Sequence, residues 1–345
     1  MNICLATYQS VMMLKGGPRT QILQTKSELQ KLGVKVSLFD SWAEFKKEDF
    51  DLVHIFSAGI GTYHLARMLK LNGVPTVVTP IFYSRHSSAF VRTAVAGDRM
   101  LRRILPGFWT DYGIMAEICR WAKAVFPTTK AEATLFSSGL GVQKECLTVV
   151  PVGVEKRFYT ATPNLFKKKY GLENFVLNVG HIGPARKNVF RLLRALESMD
   201  APAVIIGRIE QSAAGQACME QAKRNPRLRV LDSIPHDSPL LASAYAAAKV
   251  FALPSIFETP GIAALEAGVA GANIVITPNG GTKDYFGSDA EYVDPNYVED
   301  IRGGILRAWE KEKGTSLRER LRNEFSWKNA AAKLKEAYRR VLESA

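Results

Sequence analysis

The chain has 345 residues, 47% of them hydrophobic and 23% charged, a composition typical of a globular protein large enough for two cores. No apolar run reaches the roughly eighteen residues of a membrane-spanning helix, and the four cysteines form no Cys-x-x-Cys pair, which argues against metal clusters and disulfides and fits a reducing cytoplasm. The net charge of +13 predicts a polyanionic partner, whether a phosphorylated ligand, an anionic lipid surface or nucleic acid.

The first half of the chain alternates strand-like and helix-like segments. No basic start or small-residue cleavage site precedes the opening apolar segment, so it is predicted to be a strand rather than a signal peptide. Helices are predicted after Gly17 and over residues 63–71, and residues 84–107 form the least regular stretch. The predicted strands of this half are residues 3–8, 34–40, 52–56, 74–82, 124–128 and 147–154.

A second alternating series follows, and two such series indicate an α/β protein with two parallel sheets, each in its own domain. We place the boundary in the polar stretch 155–171, which gives domains at 1–155 and 172–325 and a helical tail at 326–345. The predicted strands of this half are residues 175–179, 203–206, 229–231, 250–253, 273–277 and 291–293, with the clearest helices at 189–199 and 240–249.

Two features of the first half look functional but are predicted to be structural. Asp49-Phe50-Asp51 has the form of a metal-binding Asp-x-Asp motif, yet it precedes a strand and therefore lies at the wrong end of a parallel sheet for a ligand. His54, within that strand, is predicted to be a core histidine whose hydrogen bonds are satisfied.

Ligands of open parallel sheets bind beyond the carboxyl ends of the strands, where helix N-termini attract anions. Gly16-Gly17 follows the first strand, after Lys15, and paired glycines allow a phosphate to approach the backbone. By themselves they are weak evidence, and the alternative is a tight strand-to-helix turn. Arg186 and Lys187 follow the first strand of the second series and precede a helix, so they can converge on one anion; the alternative is a solvated basic pair.

The strongest pattern follows the fourth predicted strand of the second half. Glu258 lies in the loop, and Glu266 follows on the next helix with seven residues between them. Pro260-Gly261 opens that helix and leaves the N–H groups of Gly261 and Ile262 for a phosphate. A carboxylate accepts two hydrogen bonds, as the adjacent hydroxyls of a ribose or hexose require, and the apolar residues around Glu266 predict partial burial.

These segments, together with Phe325-Ser326-Trp327 at the start of the tail, resemble the retaining glycosyltransferases of family 4 (group 1) over nearly the whole chain. The resemblance implies the GT-B architecture, in which two Rossmann-like domains with parallel sheets face a central cleft. It implies transfer of a sugar from a UDP-, GDP- or ADP-sugar to a glycan or lipid-linked acceptor with the anomeric configuration retained. No cofactor, metal or nucleic acid is expected.

The resemblance also implies roles for individual residues. Glu258, Lys187 and Arg186 would form the catalytic group: Glu258 beside the transferred sugar, and the two cations against the diphosphate. Glu266 would hold the donor ribose, and the backbone near Ile234 would meet the base. The donor-binding set is completed by Gly16, Gly17, His181, Thr259, Pro260, Gly261 and Ile262.

Three positions depart from the family pattern. Many relatives carry Arg where this chain has His181, so one phosphate-binding charge is absent or pH-dependent. Many carry a catalytic His where residues 79–82 stand here, and we assign no acceptor-side histidine. Val152 replaces a frequent Asn. A nucleotide-sugar epimerase of the same fold and a basic nucleic-acid-binding protein are the alternative functions.

Five arginines are interleaved with apolar residues after the fourth predicted strand, with only Asp98 opposing them. Such a segment suits a membrane interface, because apolar groups enter the headgroup boundary while arginines meet anionic lipid. We therefore expect a cytoplasmic enzyme of glycolipid, lipopolysaccharide or polysaccharide synthesis, peripheral on the inner face of the membrane. The alternative is an ordinary amphipathic helix packed on the first domain. The arginines are Arg85, Arg92, Arg99, Arg102 and Arg103.

Overall fold

A computed structural model of the chain describes residues 1–13, 16–82 and 84–343. These residues form two compact units: Met1–Gly153 with the segment that begins at Trp327, and Val154–Ser326. Each unit is built on one sheet of parallel strands with helices packed against it, which is the predicted α/β class. Lys15, which precedes the predicted glycine turn, lies outside the described residues.

The sheet of the first unit has the strand order β2-β1-β3-β4-β5, so the order reverses between β1 and β3. Its central strands β3 and β4 are buried along their whole length, as expected for parallel strands covered on both faces. The elements are β1 (Asn2–Ala6), α1 (Gly17–Lys31), β2 (Lys35–Leu38), β3 (Leu52–Phe56), α2 (Ile60–Leu71), β4 (Thr76–Thr79), α3 (Ser88–Ile104), α4 (Asp111–Trp121), β5 (Ala124–Val125), α5 (Lys130–Ser138) and, at the C-terminal end, α15 (Trp327–Glu343).

Two predictions about the first unit are wrong. Residues 84–107 are not irregular, because most of them form the long helix α3, capped by Ser87, whose hydroxyl accepts a hydrogen bond from the Phe90 N–H. Residues 147–154 do not form a full strand: Leu147 and Val154 each make an isolated bridge, to Val125 and Ser326, and the N–H groups of Thr148 and Val150 donate to the carbonyls of Val125 and Pro127.

The C-terminal helix α15 packs on the first unit through a buried polar contact. His54 on β3 is fully buried and shares hydrogen bonds with the Tyr338 hydroxyl at 2.6 Å and the Thr79 hydroxyl at 2.8 Å. Burial lowers the pKa of His54 to about 3, so the ring is neutral at physiological pH. The prediction of a satisfied core histidine is confirmed, and its Tyr338 partner fixes the helix against the sheet.

The second unit has a six-stranded sheet in the order β11-β10-β9-β6-β7-β8. Strand β6 lies between β9 and β7, so the order reverses between β6 and β9. The elements are α6 (Lys156–Tyr159), α7 (Asn164–Tyr170), β6 (Val176–Val179), α8 (Val189–Leu196), β7 (Ala203–Ile206), α9 (Ala213–Ala222), β8 (Leu228–Leu231), α10 (Pro239–Ala247), β9 (Val250–Leu253), α11 (Ile262–Val269), β10 (Asn273–Ile276), α12 (Thr282–Phe286), β11 (Ala290–Tyr292), α13 (Val298–Glu310) and α14 (Ser316–Glu324).

The polar stretch 155–171 is not a linker. It folds as α6 and α7, and Phe158 and Phe166 are fully buried in the core of the second unit. The contact boundary therefore lies at Gly153, before this stretch, and the second unit ends at Ser326. The stretch carries six charged residues, but its two buried phenylalanines dock the helices on the core.

No helix within residues 1–13, 16–82 and 84–343 is both long and apolar enough to cross a bilayer.

Candidate functional site

Three loops meet at the carboxyl edge of the second unit's sheet, at the point where the strand order reverses. The loop after β6 joins the loop after β9 through a hydrogen bond from the Ile256 N–H to the Arg186 carbonyl, at 2.9 Å. The loop after β9 joins the loop after β10, because the Glu258 N–H donates to the Asn279 carbonyl at 3.0 Å and the Gly281 N–H to the Glu258 carbonyl at 3.1 Å. Ligands of open α/β sheets bind at such an edge.

Two residues with unusual backbone conformations hold these loops together. Asn188 is left-handed with φ 56°, and its side-chain amide donates to the carbonyls of Pro254 at 2.8 Å and Pro295 at 2.7 Å. Gly280 has φ 107°, and a Cβ at this position would lie 1.9 Å from the Glu258 carbonyl oxygen. The close approach of the two loops therefore requires glycine at position 280.

Glu258, Lys187 and Arg186 form one ionic cluster at the edge where the sequence predicts each of them to lie. Lys187 Nζ lies 2.7 Å and Arg186 Nη1 3.4 Å from Oε1 of Glu258, whose side chain is 8% exposed. Burial alone raises the pKa of Glu258, but the charges of Lys187 and Arg186 outweigh it and hold the pKa below the ordinary value of 4.5. Glu258 is therefore an anion at neutral pH, with its charge balanced by two cations.

Helix α11 begins beside this cluster. Gly261 caps it in the left-handed conformation, φ 74°, and its carbonyl accepts from the N–H groups of Ala264 and Leu265. The N–H groups at the start of a helix have no partner within the helix, so those of Gly261 and Ile262 point a positive partial charge at the loop edge. Half-buried Thr259 and Pro260 precede the cap. Two side-chain cations and a helix N-terminus thus lie together where an anion can bind.

Glu266 lies one turn into α11 and is buried, with its side chain 5% exposed. Its Oε1 is 2.6 Å from Nε2 of His236, which lies in the loop between β8 and α10. Burial, the largest effect, lowers the pKa of His236, but the hydrogen bond to Glu266 and the charge of that carboxylate together raise it above the ordinary 6.5. The predicted burial of Glu266 is confirmed, together with its need for a donor.

Sequence reasoning missed His236. The one available indication was its position, two residues after Ile234, in a loop already expected to meet the base. Nothing in the spacing of the sequence connects position 236 with position 266. Ile234 itself packs partly buried against the core of the second unit. His181 is exposed in the loop after β6.

In the first unit, Gly16 caps α1 and Gly17 is its first residue, with Pro18 in the first turn as predicted. The Asp49–Asp51 segment lies at the amino end of β3, where the Asp51 carboxylate accepts a hydrogen bond from the Asn2 N–H at 2.8 Å. This placement confirms that it is a loop feature and not a ligand site of the sheet.

One of the five arginines predicted to face a membrane is not available to a ligand. Arg102 is half-buried, forms ion pairs with Asp98 at 2.7 Å and Glu117 at 2.8 Å, and lies over the Trp109 ring. Its prediction as a surface contact is wrong, because Arg102 links α3 to α4. The other four, Arg85, Arg92, Arg99 and Arg103, are exposed.

Two units, each built on a parallel sheet covered by helices, are the architecture of GT-B glycosyltransferases. A sucrose-phosphate synthase from Thermosynechococcus elongatus has the same fold, with a TM-score of 0.77 over 100% of both chains at 18% identity. The model of group 1 glycosyl transferases matches residues 164–325, and the model of the glycosyl transferase 4-like domain matches residues 36–153. The chain belongs to the group 1 glycosyltransferases.

Two relatives with assigned activities are mannosyltransferases. An MMP alpha-(1->4)-mannosyltransferase of Mycolicibacterium hassiacum is 25% identical over 319 residues, covering 86% of this chain and 72% of the relative. An O-antigen chain mannosyltransferase B of Escherichia coli is 29% identical over 189 residues, covering 51% of this chain and 49% of the relative.

Proposed function

We propose that this glycosyltransferase moves a glycosyl group from a nucleoside diphosphate sugar to a hydroxyl of a cell-envelope glycan or glycolipid, with retention of the anomeric configuration and without a metal. The observation that carries the proposal is the convergence of Arg186, Lys187 and the α11 N-terminus on one edge, with Glu266 buried one turn along the same helix. The names of the two relatives make a mannosyl donor the first to test.

The chemistry follows from these groups. The diphosphate leaving group gains negative charge as the glycosidic bond breaks, and preorganised cations and backbone N–H groups stabilise that charge. Arg186 and Lys187 are already held in place by Glu258, so little reorganisation is needed. They supply the positive charge that a divalent metal supplies in other transferases.

The state of Glu258 bears on how the proposed retention would be achieved. Its Oε1 is engaged by two cations, which makes it a poor nucleophile for a covalent glycosyl-enzyme. Attack of the acceptor on the face that the diphosphate leaves requires no such nucleophile and also retains configuration.

The donor is tested by thermal unfolding of the protein with UDP, GDP, ADP and their sugars, because a ligand that binds the folded state raises the melting temperature. One nucleotide series should stabilise the protein clearly more than the others. Proton NMR of the product formed from that donor then reads the anomeric configuration. If no nucleotide stabilises the protein, the proposed donor class is overturned. If the configuration is inverted, the proposed retention is overturned.

We further place the acceptor at an anionic membrane surface, on the basis of the exposed side of α3. Val91, Val95 and Asp98 face the protein. Arg92, Arg99 and Arg103, spaced by seven and four residues, form a basic ridge. Beside this ridge the helix exposes four apolar side chains, namely Phe90, Met100, Leu101 and Ile104.

A basic ridge beside an apolar ridge is the arrangement with which a helix lies in a lipid interface. Asp98, the acidic residue opposing the arginines, is buried against Arg102 and the Thr110 hydroxyl. It therefore does not reduce the positive potential of the exposed face. Three arginines near an anionic surface contribute about 1 kcal/mol each, enough for reversible attachment.

Co-sedimentation with vesicles of phosphatidylcholine and phosphatidylglycerol tests the placement. Binding should rise with the anionic lipid, fall with salt, and be lost when Arg92, Arg99 and Arg103 are changed to Glu. The matched control changes Lys35, Lys47 and Lys70 to Glu, three exposed lysines on other parts of the first unit, and should retain most binding. Equal losses in the two variants would show that net charge, not α3, governs attachment.

A further inference from the structure

His236 lies between two carboxylates and an arginine. Its Nε2 meets Glu266 at 2.6 Å, while its Nδ1 is 3.2 Å from Nη2 of Arg157 and 3.7 Å from Oε1 of Glu155. Arg157 is itself paired with Glu155, its Nε lying 3.0 Å from Oε2, and it covers the Phe158 ring at 4.0 Å. The Phe158 ring lies beside the imidazole, with centroids 5.7 Å apart.

This arrangement satisfies the imidazole in both of its protonation states. In the neutral ring, Nε2–H donates to Glu266 and Nδ1 accepts from Arg157. In the charged ring, Nε2–H keeps its bond to Glu266, and Nδ1–H faces the Glu155 carboxylate. The hydrogen bond to Glu266 therefore survives titration, while the charge of the cluster changes.

We propose that His236 is a positioning residue for the donor site, which fixes Glu266 toward the ribose and sets the charge of that site according to pH. With His236 protonated, Glu155, Arg157, His236 and Glu266 sum to zero charge; with His236 neutral they sum to one negative charge. The inference rests on the proposed function, because it takes Glu266 as the ribose ligand. A negative ribose site repels the diphosphate of the donor, so donor binding weakens as the pH rises.

The charged groups that face His236 favour its protonated form, on which the predicted pH dependence of donor binding rests. Burial lowers the pKa of His236, Glu266 from α11 and Glu155 from the segment before α6 raise it to a greater extent, and Arg157 from α6 lowers it. Tyr245 of α10 is buried beside Glu266; burial and the Glu266 charge keep its pKa well above 10, so its hydroxyl stays neutral and adds no charge. Folding therefore shifts the equilibrium of His236 toward its protonated state.

The first test measures the titration of His236 directly. The chain has five histidines, so carbon-13 labelling of their rings gives five NMR signals, and His236→Gln identifies the relevant one. The His236 signal should titrate above the ordinary value of about 6.5 in the parent and closer to it in Glu266→Gln or Glu155→Gln. If the His236 signal titrates at or below that value and neither substitution changes it, the titration of His236 is not coupled to Glu266 and Glu155. This test needs no nucleotide.

The second test separates positioning from charge. The ligand is a nucleoside diphosphate sugar, because it lacks the terminal phosphate that titrates near pH 6 in a free nucleoside diphosphate. Every protein compared in this test carries His181→Arg, so that no second histidine at the carboxyl edge of the second unit's sheet contributes to the pH dependence. Affinity is measured by calorimetry between pH 6 and 8.5, and the His181→Arg protein should lose on the order of fivefold in affinity across that range.

Adding His236→Gln should flatten the pH profile at the affinity that the His181→Arg protein has at high pH, because the glutamine amide still donates to Glu266 but carries no charge. Adding His236→Ala should lower affinity below that level at every pH, because Glu266 then also lacks its donor. Two results would overturn the role of His236 but leave the proposed function intact. One is an affinity of the His181→Arg protein that does not change with pH, and the other is the same pH dependence with and without His236→Gln. A parent chain that binds no nucleotide sugar at any pH overturns the proposed function and, with it, the role of His236.

Discussion

Removing the charge of Lys187 should lower stability and nucleotide affinity together, and a second substitution should separate the two effects. Lys187→Met keeps the aliphatic stem but leaves Glu258, 8% exposed, with Arg186 alone at 3.4 Å. Losing one partner of a fully buried pair costs about 3–5 kcal/mol. Because Arg186 remains and Lys187 is 22% exposed, we expect about 2 kcal/mol, or roughly 4–8 °C in melting temperature.

Affinity should fall for a different reason. Lys187→Met removes a charge-assisted hydrogen bond to the donor diphosphate, which is worth about 1.5–3 kcal/mol. This corresponds to roughly a 10- to 100-fold loss in affinity. In Lys187→Met/Glu258→Gln no carboxylate is left uncompensated, so most of the stability should return while nucleotide affinity stays low. Thermal unfolding and calorimetric titration with the nucleoside diphosphate measure the two quantities.

A matched control is available in the same unit. Lys223 forms an ion pair with Glu220 at the same distance of 2.7 Å, but both side chains are about 70% exposed. Lys223→Met should change stability by less than about 1 kcal/mol and leave nucleotide binding intact. If the double variant regains the full nucleotide affinity of the parent, Lys187 acts through folding and not through the phosphate, and the assignment of Lys187 to the diphosphate is refuted.

The stability contributed by the Lys187–Glu258 pair depends on pH. The pKa of Glu258 is lowered in the folded state, so the contribution is full above the ordinary value of 4.5 and is lost as the pH falls through the lowered value. The parent and Lys187→Met should therefore differ most in melting temperature above pH 5 and converge in acid.

Three further predictions follow from the site and the core. Glu266→Ala should weaken nucleoside diphosphate binding by roughly 2–4 kcal/mol in calorimetry, since a buried charged acceptor is lost; unaltered affinity would exclude the ribose assignment. Transferase activity should persist in a chelator, because Arg186, Lys187 and the α11 N-terminus supply the positive charge; loss with EDTA and recovery with manganese would show otherwise. Tyr338→Phe should destabilise the first unit by about 1–3 kcal/mol in denaturant unfolding, because Nδ1 of His54 stays buried without a partner, and nucleotide affinity should not change.

The buried strands and the edge residues were predictable from sequence. Strands 52–56, 203–206 and 250–253 have the predicted ends, because parallel strands covered on both faces are continuous apolar runs. Arg186, Lys187 and Glu258 were expected at one edge because each follows a strand of the same sheet. Topology alone brings such loops together.

The parts that were missed have two different causes. Helix α3 carries its buried residues Val91, Val95 and Asp98 at helical spacing, but it also exposes apolar side chains on its outer side, and these hide the period in the sequence. His236 reaches Glu266 from 30 residues away only because the loop after β8 folds over α11. That contact has no local signature in the sequence.

A crystal structure of the protein with the nucleoside diphosphate that stabilises it most tests the central claim directly. We expect the diphosphate within hydrogen-bond distance of Lys187, Arg186 and the N–H groups of Gly261 and Ile262. We expect the ribose hydroxyls on the carboxylate of Glu266. A nucleotide bound at another edge of the second unit, or one whose ribose does not touch Glu266, would contradict the assignment of the donor site.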